Sequence, residues 1–193
     1  MNIILASESP YRKELLERLD LNFDCRPAYI DEESIWEKNI SPLEVSIELA
    51  KMKALKVLEE NQHNLIIGSD QVICLDNQIF GKPKTEENAL VQLKQLQSAP
   101  HTLITSVCLA SKEKTVTFSN ETILSIRKDL SEQHLKYYIS RDLPLNCAGS
   151  YKIEGMGIAL FEKVETTDFT SIIGLPLMEL SKKLKDFGIE VFK

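Results

Sequence analysis

Ser7, Ser9, Arg12 and Lys13 crowd hydroxyls and positive charge into the turn that follows the apolar run Ile3-Ile4-Leu5. A strand running directly into a helix aims unpaired backbone N–H groups and a positive dipole end at one point. Ser9 reads as the N-cap, Pro10 as the first helical residue, and Leu15, Leu16 and Leu19 as the apolar face. Such an arrangement binds anions, and phosphate is the expected one. Asp70 follows Leu65-Ile66-Ile67 and is therefore expected at the C-terminal end of a buried strand. There it could hold a divalent metal, activate a water, or simply terminate the strand. Lys82, between Gly81 and Pro83, is either a phosphate clamp on a rigid turn or an exposed loop lysine. Lys51, Lys53 and Lys56 fall on different faces of one helix, so that one of them could reach a phosphate. Glu32 and Glu33 read equally as an acidic loop or as hard oxygen ligands sharing Mg²⁺ or Mn²⁺ with Asp70.

The elements that must position these groups alternate. A second strand is expected over Asn22 to Arg26, then an acidic, irregular stretch from Ala28 to Ser41. Ser41-Pro42 starts a helix whose apolar face is read as Val45, Leu49, Met52, Leu55 and Leu58. Leu65 to Leu75 is apolar but interrupted at Gly68-Ser69-Asp70-Gln71, and Asp76-Asn77 makes a turn. A third helix spans Thr85 to Gln97, with Thr85 and Asn88 as a weakened capping box. Thr102 to Ala110 and Thr115 to Ile126 read as a hairpin, Ser131 to Ser140 as helix, Gly155 to Phe161 as strand, and Leu175 to Phe187 as a closing helix. Helices alternating with both parallel and hairpin strands predict an α/β fold, a mixed sheet covered by helices.

The bulk numbers narrow the function classes. With 193 residues the chain fits a single domain spanning residues 1–193. A net charge of −6 argues against a sequence-independent grip on nucleic acid. A basic cluster in an acidic chain points instead to a pocket for a small anion. Cys25, Cys74, Cys108 and Cys147 form no C-x-x-C pair, which argues against a zinc site or a disulfide framework. Reduced thiols, an N-terminal apolar run too short for a signal peptide, and no stretch approaching a membrane span lead to a cytoplasmic expectation.

Several short strings then occur in order: Ala6-Ser7-x-Ser9-Pro10-x-Arg12, Asp31-Glu32, Ala50-x-x-Lys53-Ala54, Ser69-Asp70-Gln71-Val72 and Gly81-Lys82-Pro83. Cys147-Ala148-Gly149-Ser150-Tyr151 and Gly174-Leu175-Pro176-Leu177 follow. Each is weak alone; the ordered series resembles the Maf family of nucleoside triphosphate pyrophosphatases over essentially the whole chain. The resemblance implies a two-lobed α/β fold related to inosine triphosphate pyrophosphatases, with a central cleft. It implies metal-dependent hydrolysis of a nucleoside triphosphate to the monophosphate and pyrophosphate. On the matching positions it implies Asp70 as the proton acceptor or metal-bound acid, Glu32 as a metal partner, and Ser7, Arg12, Lys53 and Lys82 as the triphosphate grip. Lys13 stands where many members carry a second arginine; it keeps the charge and loses the bidentate fork.

Tyr11, Gln71 and Glu154 are the positions that distinguish branches of that family. Here they resemble the branch acting on 7-methyl-GTP, in which an aromatic residue follows Ser-Pro and the later segment runs as Cys147 to Gly155 do. N7-methylation makes guanine cationic, so an aromatic face adds a cation–π attraction of roughly 0.5–2 kcal/mol. A carboxylate accepting from N1–H and the exocyclic amine is strengthened by the same charge. Tyr11 could supply the face and Glu154 the acceptor; as bland alternatives, Tyr11 packs on the core and Glu154 is a turn residue. The rival functions are a dTTP/UTP pyrophosphatase of the same fold, a nucleotide-binding regulator of septum formation, and a scaffold with charged surfaces. The expected partner is a small nucleotide, with no nucleic acid and no membrane; a homodimer is left open.

Overall fold

The computed structural model describes residues 1–36 and 38–192, without the side chains of Glu33 and Trp36. Seven strands form one mixed sheet: β1 (Ile3–Leu5), β2 (Phe23–Cys25), β3 (Leu65–Leu75), β4 (Gln78–Phe80), β5 (His101–Ala110), β6 (Thr115–Ile126) and β7 (Phe161–Glu165). The order is β2-β1-β3-β5-β6-β7, with β4 also on β3. β1 pairs in parallel with β2 and β3, whereas β4 runs antiparallel to β3 and β7 antiparallel to β6. Six α-helices accompany the sheet: α1 (Pro10–Glu17), α2 (Glu33–Trp36), α3 (Pro42–Leu58), α4 (Glu86–Leu96), α5 (Glu132–Asp142) and α6 (Leu177–Leu184). No helix among the described residues is long and apolar enough to cross a membrane.

The chain divides into two compact units. The first comprises Met1–Gln71, Thr105–Asn120 and Asp168–Lys193; the second comprises Val72–Ile104 and Glu121–Thr167. In the first unit β1 and the start of β3 are buried on both faces, which is why Ile3 to Leu5 and Leu65 to Ile67 read as unbroken apolar runs. Side chains at Ile3, Leu5, Leu65 and Ile67 pack with Leu15, Leu16, Leu177, Leu180 and Leu184 of α1 and α6. Ile4, Ala6 and Ile66 pack on the opposite face with Ala50, Ala54 and Val57 of α3. This period-two alternation decides which way each side chain farther along β3 must point.

Three local expectations need correction, two of them where α3 meets β3. β3 does not stop before Asp70: it continues unbroken to Leu75, so Asp70 lies within the strand rather than at its end. Gly68 is compatible with that course because α3 crosses directly over it. A Cβ there would fall on the carbonyl oxygen of Ala50 and 2.7 Å from the Ala54 nitrogen. The same close approach explains the second correction. The buried face of α3 is Val45, Ser46, Leu49, Ala50, Ala54 and Val57, while Leu55 is exposed. Small residues, not large apolar ones, mark the side of a helix that approaches a sheet closely.

The capping signals behave as their chemistry demands. Ser9 caps α1 through its side chain, accepting from the Arg12 N–H, with Pro10 following. Ser41 and Glu44 form a reciprocal capping box on α3. On α4, Thr85 accepts from the Asn88 N–H, and the Asn88 amide turns to the Pro83 carbonyl instead of closing a box.

The second unit carries α4, α5, β4 and β7, with an aromatic group of buried His101 and Tyr151 against half-buried Phe161. Burial pulls the His101 imidazole down to about 4, so it stays neutral in the cluster. The expected strand from Gly155 is a 3₁₀ segment at Met156–Leu160, and β7 begins only at Phe161. Ile158 and Leu160 alternate like strand residues, but the chain is folded back there. The Gly157 N–H donates to Asp142 Oδ2, and a Cβ on Gly155 would lie 2.7 Å from the same oxygen.

Candidate active site

Asp70 is the centre of the charged group in the first unit. It is 7% exposed and faces α3, as the alternation from Ile66 through Gly68 requires. The β1 pairing of β3 ends at Ile67 and the β4 pairing starts at Ile73, so Asp70 falls in the interval between them. Its carbonyl accepts from Ser46 Oγ at 3.4 Å, which ties the strand to α3 at this point. Lys53 projects from the same face of α3, seven residues after Ser46. Lys53 Nζ lies 2.6 Å from Asp70 Oδ1 and 2.7 Å from Glu32 Oε1. One ammonium thus bridges a buried carboxylate and a half-exposed one. Burial pushes the Asp70 carboxyl above its ordinary value, opposed by Lys53 and Arg12. A raised carboxyl is a better proton acceptor than an ordinary one.

Arg12 stands on α1 with its guanidinium engaged twice. Nε donates to the Gly174 carbonyl at 3.2 Å and Nη1 to Ser7 Oγ at 3.4 Å. Burial lowers its affinity for the proton, while the negative fields of Asp70 and Glu32 restore part of it. Ser7 Oγ also accepts from the Ser9 N–H at 3.1 Å. Lys13, by contrast, points to solvent and pairs with Glu17 at 3.8 Å. The structure therefore brings together Ser7, Arg12, Glu32, Lys53 and Asp70, and leaves Lys13 outside. Tyr11 is 38% exposed on the same short helix.

Gln71 lies next to Asp70 and points the other way. Its side-chain amide donates to Thr105 Oγ1 at 3.1 Å, the Ser171 carbonyl at 2.9 Å and the Ile172 carbonyl at 3.1 Å. Ser69, completely buried, donates to the Gly174 carbonyl at 2.9 Å. Ser69 is marked in the sequence only by its place in the Ser69-Asp70-Gln71-Val72 string, and no local signal marks Thr105. Continuing the strand alternation past Ile67 would have separated Asp70 from Ser69 and Gln71. Lys82 and Glu154 belong to the second unit, where both are exposed.

A divalent cation fits the donor set of Asp70 and Glu32: both are hard carboxylate oxygens, and both already converge on the positive charge of Lys53. Among the described residues no group of three or more His, Cys, Asp or Glu side chains could hold an ion. Two carboxylates leave the remaining coordination to water and substrate phosphate, the usual habit of Mg²⁺. The side chain of Glu33, the other acidic candidate, lies outside the described part of the structure.

Comparison with known proteins fits this geometry. A 7-methyl-GTP pyrophosphatase of Saccharophagus degradans is 42% identical over 186 residues, covering 95% of this chain and 93% of that protein. One from Pseudoalteromonas atlantica is 43% identical over 194 residues, covering 100% and 98%. One from Bdellovibrio bacteriovorus is 38% identical over 187 residues, covering 97% of each. Among solved structures, a HAM1 protein from Coxiella burnetii shares 14% identity at a TM-score of 0.48, over 96% of this chain and 99% of that one. Nothing functional follows from a likeness at that distance. Residues 2–187 match the family described as Maf-like protein, and with relatives at about 40% identity along its whole length, this chain belongs to the Maf family.

Proposed function

We propose that this protein hydrolyses 7-methyl-GTP to 7-methyl-GMP and pyrophosphate, clearing a modified nucleotide from the pool. The observation that carries the chemistry is the Asp70–Lys53–Glu32 group beside Arg12. The choice of substrate is supported by full-length relatives that bear the 7-methyl-GTP name. Hydrolysis of a phosphoanhydride calls for a positioned water, a proton acceptor and neutralisation of charge on the transferred phosphoryl group. Asp70 accepts the proton of the attacking water. Arg12 and Lys53 grip the triphosphate, and Ser7 helps to hold it. Asp70 and Glu32 would hold a Mg²⁺ or Mn²⁺ ion, which when bound supplies charge neutralisation on the phosphate oxygens. Tyr11 and Glu154 read the cationic base, Tyr11 by its ring face and Glu154 by its carboxylate. The four free thiols suit the reducing environment of the cytoplasm.

The test is pyrophosphate release from 7-methyl-GTP, dTTP, UTP and ITP, side by side and with or without Mg²⁺. The methylated nucleotide should be turned over with the highest kcat/KM, and only with the metal present. Glu154→Gln should then lower kcat/KM for 7-methyl-GTP by about tenfold or more, the value of a charge-assisted hydrogen bond, while dTTP turnover stays near its starting level. Equal losses on both would remove Glu154 from base recognition. A preference for dTTP and UTP would replace the assignment with the pyrimidine branch.

A further inference from the structure

Three hydrogen bonds to α5 hold the turn that carries Glu154. Glu154 sits at the corner of residues 152–155, a turn closed by the Gly155 N–H donating to the Lys152 carbonyl at 3.3 Å. On the entry side the Lys152 N–H donates to Tyr138 Oη at 2.9 Å, and on the exit side the Gly157 N–H donates to Asp142 Oδ2 at 3.2 Å. Lys152 Nζ adds a bond to the Asp142 carbonyl at 2.7 Å, satisfying an acceptor that the end of a helix leaves open. Tyr138 and Asp142 are four residues apart and share one face of α5. Tyr138 is buried, and burial above all, with the fields of Asp142 and Glu154 adding to it, pushes its phenol up, so it stays a neutral hydroxyl. The turn has little slack: a Cβ on Gly155 would lie 2.7 Å from Asp142 Oδ2, and one on Gly157 would fall on the Lys152 carbonyl oxygen. Asp142 meanwhile ends α5 at the negative pole of the helix, where a carboxylate is disfavoured. Its place there is explained by what it accepts.

We propose that Asp142 and Tyr138 are positioning residues: by fastening both ends of the 152–157 turn to α5, they set the Glu154 carboxylate for the nucleobase. The inference rests on the reading that Glu154 accepts from the base. A carboxylate that takes hydrogen bonds from N1–H and the exocyclic amine must present both oxygens in the plane of the ring. On an untethered turn that orientation would have to be ordered anew at each binding event, at a cost in affinity. What α5 grips is the backbone of the turn, through the Lys152 and Gly157 N–H groups. Asp142 and Tyr138 therefore act on base preference and leave the handling of the triphosphate alone.

The test is the ratio of kcat/KM for 7-methyl-GTP over dTTP, measured on the full chain. The proteins compared are wild type, Asp142→Ala, Tyr138→Phe, Glu154→Gln and the Asp142→Ala/Glu154→Gln double variant. Asp142→Ala should lower the ratio by about tenfold and Tyr138→Phe by about threefold. The kcat/KM for dTTP should stay within about twofold of wild type in both. Once Glu154 is replaced there is no acceptor left to position, so adding Asp142→Ala to Glu154→Gln should change the ratio by less than about twofold. Equal losses on both nucleotides in Asp142→Ala, or the same drop in ratio in both backgrounds, would mark a merely structural role and overturn the proposal. A ratio that collapses in Glu154→Gln but survives in Asp142→Ala and Tyr138→Phe would overturn it too, and leave Glu154 as the base reader. A ratio untouched by Glu154→Gln would sink that reading and the proposal with it. Should Asp142→Ala fail to fold, Tyr138→Phe, which keeps the buried ring, takes its place in the cycle.

Discussion

Replacing Asp70 by asparagine should lower kcat by about 10²- to 10⁴-fold, the range that a positioned proton acceptor contributes, while the chain stays folded. The amide keeps the shape of the side chain within β3 and cannot take a proton from water. The fold should tolerate the change because it removes a charge that burial disfavours. Lys53 would retain Glu32 at 2.7 Å as its counterion. Circular dichroism and a thermal melt beside wild type check the fold, and pyrophosphate release checks the rate. Near-normal turnover by a folded variant would remove Asp70 from the chemistry.

Lys53→Met should be the second most damaging change, costing about 10²- to 10³-fold in kcat/KM as expected for losing one preorganised electrostatic contact. It should also move the pH profile in a stated direction. In the native protein Lys53 lowers the Asp70 carboxyl against the upward push of burial. Without the ammonium, Asp70 faces the neighbouring Glu32 with less positive charge to hold it ionised. The carboxyl then keeps its proton to higher pH, and since the working form is the carboxylate, the acid limb of kcat/KM against pH must shift upward. A shift toward lower pH, or a uniform loss with no shift, would contradict the coupling of these two side chains. Lys51 offers a control on the same helix: it pairs with Glu48 at 4.0 Å, and neither Asp70 nor Glu32 contacts it.

The parts of the molecule legible in the sequence are those where one residue's local chemistry decides the outcome. Ser9-Pro10 and Ser41-Pro42 start helices because each hydroxyl caps free N–H groups and each proline has none to lose. The long strands β5 and β6 follow from their β-branched content. What stayed hidden depends on the approach of one element to another. Gly68-Ser69-Asp70-Gln71 looks like a break in an apolar run, yet it is strand, because its polar side chains find partners on two faces: Lys53 on one, and Gly174, Ser171 and Ile172 on the other. Ala50 and Ala54 lie at the closest contact of α3 with β3, while the more hydrophobic Leu55 is exposed. Gly155 to Leu160 fails as a strand because Asp142 captures the Gly157 N–H. Ser7, Arg12, Glu32 and Lys53, the four residues gathered around Asp70, came from the ordered strings and the chemistry of their types. The Gly174 carbonyl that Arg12 and Ser69 share did not, since carbonyl acceptors leave no trace in an amino-acid sequence.

The account stands or falls on which bond is cut and by what. The most direct measurement incubates the protein with 7-methyl-GTP and Mg²⁺ in ¹⁸O-labelled water and identifies every product by mass. The prediction is one 7-methyl-GMP and one pyrophosphate for each nucleotide consumed, with a single ¹⁸O in one of them, formed about 10²- to 10⁴-fold more slowly by the Asp70→Asn protein. Formation of 7-methyl-GDP with orthophosphate, or an intact nucleotide after prolonged incubation, would contradict it.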